Sequence, residues 1–94
     1  MSYLGVRHKR NAITIEIKLH GPGIPNVEVT KLKDFMDVEI EPAARESRKN
    51  TAIFCSILAG RAIERFGNND DVVWAECIID TGEYCMGAVK ETSL

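Results

Sequence analysis

The chain has 94 residues, 45% hydrophobic and 28% charged, with a formal net charge of −2. That suits one globular domain, spanning 1–94; it is too short for two cores and too apolar for disorder. The near-neutral charge argues against a wholly basic nucleic-acid binder. The longest apolar run, Thr51 to Gly60, falls short of the roughly 20 residues that a bilayer span needs, so no membrane partner is expected. No apolar stretch follows Met1 as a secretory leader would require. Cys55, Cys77 and Cys85 are odd in number, which reads as reduced thiols in a cytoplasmic protein.

Charge is unevenly spread. Residues 1–33 carry six basic and two acidic side chains. Asp34, Asp37, Glu39 and Glu41 follow without a base among them. The simplest expectation is that strands from the two ends of the chain pair in one sheet and cancel these charges, rather than that they mark two partner-facing surfaces.

Residues 1–10 lack periodicity and contain Arg7-His8-Lys9-Arg10, so they read as a basic arm or a short lead into the first strand. Residues 12–20 alternate, with Ile13, Ile15, Ile17 and Leu19 on one face and Thr14, Glu16, Lys18 and His20 on the other. This is a strand with one buried face. Gly21 to Asn26 contains two prolines and two glycines and must break it. Val27 and Val29 suggest a second strand, and Val38 and Ile40 alternate with Glu39 and Glu41. Between them Leu32, Phe35 and Met36 fall at helical spacing, so residues 31–37 are either a helical turn or a bulge.

Pro42 suits the first turn of a helix, which the spacing predicts over about 43–66, with Arg48 as a later start. Gly67 is its stop signal, suited to a left-handed cap. Ala44, Thr51, Ala52, Phe54, Cys55, Leu58, Ala59, Ala62, Ile63 and Phe66 form a wide core-facing stripe. The back face carries Ile53, Ser56, Ile57 and Gly60 within a polar ring of Glu46, Lys49, Arg61 and Glu64. Small residues there would let a second backbone approach, and each isoleucine is worth roughly 1.5–3 kcal/mol if fully buried.

Val72–Ile79 and Tyr84–Lys90 read as a hairpin around Asp80-Thr81-Gly82, with Gly82 at positive φ. A two-residue loop would set Cys77 opposite Met86; a three-residue loop would set it opposite Cys85. Trp74 and Ile78 make the second face of the first hairpin strand apolar as well, so it too needs cover.

Ile78-Ile79-Asp80-Thr81-Gly82 resembles the active-site signature of retroviral-type aspartic proteases. That resemblance would make Asp80 a catalytic carboxylate of a dimer. The family needs a long stretch after the triplet, and the chain stops twelve residues later, so the triplet is read as a turn. His8, His20, Cys77 and Cys85 lack metal-ligand spacing, and no phosphate-cradling glycine pattern is present. Neither a metal nor a cofactor is therefore expected. Glu91-Thr92-Ser93-Leu94 resembles the C-terminal tails that PDZ domains read.

The expected fold is α+β: four antiparallel strands in the order β-β-α-β-β, with one long helix across one face. The expected function is that of a small non-catalytic interaction or regulatory protein, acting as a homodimer or higher homo-oligomer that binds a protein partner or small ligand. Its contact residues would be Ile53, Ser56, Ile57, Gly60, Trp74 and Ile78, by surplus apolar area. One alternative is a small enzyme with Asp80 or Glu76 in a site between subunits. Another is a nucleic-acid binder using Arg7, Lys9, Arg10 and Lys18, although the first strand lacks an aromatic for base stacking.

Overall fold

A computed structural model describes residues 3–67 and 72–92. The fold is α+β, with four antiparallel strands in one sheet in sequential order. The strands are β1 (Tyr3–Arg10), β2 (Ile13–His20), β3 (Trp74–Asp80) and β4 (Cys85–Glu91). Two helices, α1 (Val29–Ser47) and α2 (Thr51–Phe66), lie between β2 and β3, so the order is β-β-α-α-β-β. No helix among the described residues is long and apolar enough to cross a membrane.

The basic stretch at the N-terminus is a strand, not an arm. β1 pairs with β2 from Tyr3↔His20 to Arg10↔Ile13 across the two-residue turn Asn11-Ala12. Asn11 takes φ 56°, a conformation that asparagine tolerates well. Only Val6 of β1 is fully buried. An edge strand carrying charged side chains shows little hydrophobic alternation, which hides it in the sequence.

Residues 27–41 do not form strands either. Leu32, Phe35, Met36, Ile40 and Ala43 recur at helical spacing and supply the buried stripe of α1. The apparent alternation at 38–41 arises because Val38 sits on the wet side, 67% exposed. Pro42 lies inside α1 rather than at its start. It removes one helical bond, to the carbonyl of residue 38.

The expected single helix from 43 to 66 is broken at residues 48–50. Ser47 is buried and its hydroxyl donates to the Ala44 carbonyl at 3.0 Å. Arg48 (φ 50°) and Lys49 (φ 66°) are both left-handed, which ends α1 and reverses the chain. Asn50 then caps α2, its side chain accepting from the Ile53 amide at 3.0 Å. α2 ends at Phe66, as Gly67 indicated, but Gly67 has φ −83°. Glycine is needed there for space: a Cβ would collide with the Ile63 carbonyl and sit 2.7 Å from Thr92 Cγ2.

Both helices lie on one face of the sheet, α2 over β3 and β4 and α1 against β1. Ile15, Ile17, Leu19, Ala75, Cys77 and Ile79 meet them from the strands. Phe35 and Phe66 close the helix pair edge to face at 5.6 Å. Charge cancellation runs between a strand and a helix, not between strands from the two ends as expected: β1 meets α1 through His8–Asp37 at 3.7 Å and Arg10–Glu41 at 2.6 Å, while β1 and β4 are opposite edges of the sheet. Arg61 of α2 bridges to Glu39 and Glu46 of α1.

The β3–β4 hairpin takes neither expected register. Asp80 pairs with Cys85, so Ile79 faces Met86 and Cys77 faces Ala88. A four-residue turn intervenes, closed by the Thr81 amide donating to the Tyr84 carbonyl at 3.0 Å. Gly82 takes φ 87°, as expected. The last two residues of the PDZ-ligand-like tail lie outside the described residues.

Candidate functional site

Strand parity assigns the outer, helix-free face of the sheet. Its first row is Tyr3, His20, Trp74 and Glu91, and its second is Gly5, Lys18, Glu76 and Val89. Arg7, Glu16, Ile78 and Gly87 form the third row; Lys9, Thr14, Asp80 and Cys85 form the fourth.

The first row is aromatic. His20 stacks on Trp74, with centroids 3.5 Å apart and planes within 5°, and Tyr3 stacks on its other side at 5.5 Å. Lys18 Nζ lies 5.0 Å over the Tyr3 ring, a cation–π contact. The stack leaves the His20 side chain only 12% exposed although it faces outward. Its Nε2 is buried without a hydrogen bond and stands 3.8 Å from a Glu76 oxygen. Desolvation holds the imidazole below its ordinary pKa, aided by Lys18 and opposed by Glu76.

Trp74 and Ile78 share this outer face, as the sequence indicated for the second apolar face. Ile53, Ser56, Ile57 and Gly60 lie on α2, which packs on the other face of the sheet from Trp74 and Ile78. Ile57 packs against the core. Ile53 is 47% exposed, and a Cβ at Gly60 would meet nothing within 4 Å.

The four candidate nucleic-acid residues do not form one footprint. Arg7, Lys9 and Lys18 face outward, whereas Arg10 faces α1 and pairs with Glu41. Arg7 lies 3.4 Å from Glu16, and Lys18 is opposite Glu76. Asp80 serves the turn, its Oδ1 accepting from the Gly82 amide at 2.8 Å. That is a structural use of the triplet. His8 faces α1 and His20 the outer side, Cys77 is buried and Cys85 exposed. Those four do not converge. The neighbouring Cys55 thiol and burial push the Cys77 thiol well above its usual range, so it stays protonated packing.

Sequence reasoning missed two features. One is the His20 stack, which needs the β1–β2–β3 register. The other is a cavity of about 350 Å³ at the α1–α2 junction, assembled from five separate elements and the turn between the helices. No family model, curated protein or solved structure matches the chain.

Proposed function

We propose that this is a non-catalytic interaction protein that works as a homo-oligomer through the outer face of its sheet. The observation that carries this reading is the row Tyr3–His20–Trp74, with Ile78 two rows further along the same face, left without helix cover. Apolar and aromatic surface of this kind on a small domain commonly marks a contact. The charges favour a second copy as the occupant. Arg7 and Lys9 lie toward the β1 edge, and Glu76, Asp80 and Glu91 toward the β4 edge. A twofold axis would set each basic edge against the other copy's acidic edge. Three free cysteines fit a reducing compartment, which we take to be the cytoplasm.

Sedimentation velocity at micromolar concentration tests the reading. The wild type should be dimeric or larger, and Trp74→Glu with Ile78→Glu should give a folded monomer. Ile53→Asp tests the α2 patch in the same way and is cleaner than a change at Ile57, which serves the core. A wild type that stays monomeric at high micromolar concentration removes the reading.

A second reading has one observation behind it: Glu76 beside the desolvated His20 is a carboxylate–imidazole pair suited to proton transfer in an enzyme site between subunits. Turnover lost in Glu76→Gln but kept in Asp80→Asn would favour it. The nucleic-acid reading would show salt-steep binding that falls in Arg7→Ala and Lys18→Ala. The acids beside both residues weigh against it.

A further inference from the structure

The cavity of about 350 Å³ lies where the α1–α2 junction overhangs the near end of the sheet. Its depth is apolar: Ile15, Ile40, Phe54 and Ile79 line it and are buried. Its exposed lining residues include Arg10, Lys49 and Asn50, so the mouth is polar and basic. No acidic residue lines it. α1 presents Ala44 and Ser47 to the space, side chains too small to fill it. The left-handed turn at Arg48 and Lys49 carries a lysine at the opening, where glycine would be the relaxed choice.

The two cations are not equally occupied. Arg10 pairs with Glu41, a carboxylate that also holds Arg45 at 3.9 Å, so one anion serves two cations. Lys49 forms no ion pair among the described residues. The first amides of α2 open beside it and have no helical acceptor. An apolar interior behind a basic mouth suits a ligand with an apolar body and one negative end. A small polar anion would leave the walls wet, and a neutral hydrocarbon would leave the cations unused.

We infer that this cavity binds a small apolar carboxylate of the medium-chain fatty-acid class, its tail on Ile15, Ile40, Phe54 and Ile79 and its head at Arg10 and Lys49. The cavity volume of about 350 Å³ lies at the small end of ligand sites, about 300–1,000 Å³, which favours a short apolar body over a long one. The site is separate from the outer sheet face and does not depend on self-association.

Titration of the full chain with decanoate below its micelle concentration, followed by methyl and aromatic NMR, tests this. Saturable shifts should centre on Ile15, Ile40, Ile79 and Phe54. Lys49→Ala with Arg10→Ala should weaken binding about tenfold or more, the loss of a charge-assisted contact. Decyltrimethylammonium, with the same tail and the opposite charge, should bind at least about tenfold more weakly by the same reasoning. Ala44→Phe should fill the cavity and abolish binding with the melting temperature held or raised; Ala44→Leu serves if the larger side chain prevents folding. Trp74→Glu should leave decanoate binding unchanged, which separates this site from the self-association reading. The inference is overturned by the absence of saturable shifts, by shifts centred on the outer face, by equal binding of the cationic amphiphile, or by unchanged binding in the folded, filled variant.

Discussion

His20 and Trp74 face each other across β2 and β3 with their rings parallel to within 5° and their centroids 3.5 Å apart. The pair is the most specific feature of the outer sheet face. It excludes water from an imidazole that strand alternation alone would place in solvent, and it gives that imidazole a testable pH response.

Desolvation lowers the pKa of folded His20 below the ordinary 6.5. The unfolded chain therefore takes up a proton at a higher pH than the folded one does. The stabilising contribution is complete above about pH 6.5 and is lost as pH falls below it. We expect the urea midpoint to drop between pH 7.5 and 5 and His20→Gln to flatten part of that dependence. An NMR titration of His20 with a midpoint above 6.5 would contradict the assignment.

Arg48 occupies a left-handed position just past α1, at φ 50° and ψ 46°. Glycine adopts that backbone without the Cβ clash, which costs other residues about 1–2 kcal/mol. Arg48→Gly should raise stability by about 1 kcal/mol, after some loss to the greater freedom of the unfolded chain. Thermal melts resolve a change of that size; a lower melting temperature would mean that the arginine makes a compensating contact.

Asn50 supplies the only side-chain cap at the start of α2 among the described residues. Asn50→Ala should cost about 1 kcal/mol, whereas Asn50→Asp should keep the cap and add a favourable charge at the helix N-terminus. Equilibrium denaturation of the three proteins orders them, and equal stability of Asn50→Ala with the wild type would show the cap to be idle.

Two glycines should respond oppositely to alanine. At Gly87 a Cβ would lie 2.6 Å from the Cys77 carbonyl oxygen, a backbone atom held in the sheet, so Gly87→Ala should destabilise clearly. At Gly60 the added Cβ meets nothing within 4 Å, so Gly60→Ala should stabilise by about 0.5–1 kcal/mol through helix propensity. A Gly60→Ala protein that is no more stable but associates less would instead locate the oligomer contact on α2.

Some of this architecture was legible in the chain alone. The alternation of Ile13, Ile15, Ile17 and Leu19 marked β2, because a strand with one buried face writes period two directly into the sequence. The stripe from Phe54 to Ala62 marked α2, and Asp80 to Gly82 marked a turn, for equally local reasons. β1 was not legible: an edge strand with one fully buried residue looks like any basic segment. α1 was obscured because Val29 and Val38 are exposed while Pro42 sits inside the helix. The break between the helices depends on two left-handed residues that are not glycine, which no propensity favours.

Composition and periodicity by themselves determined the α+β class, with β2, α2 and the β3–β4 hairpin, since these follow from which residues prefer burial and at what spacing; the expected count of four strands was reached with residues 27–41 in the place that β1 takes. Only the tertiary structure decided which residues share a surface. Register put His20 between Tyr3 and Trp74, and strand parity turned Arg10 away from Arg7, Lys9 and Lys18. Helix placement left a cavity between residues as distant as Arg10 and Ile79. These are non-local relationships: the energy that fixes them comes from packing across the whole core, and a sequence read one segment at a time contains only the preferences that packing then arbitrates.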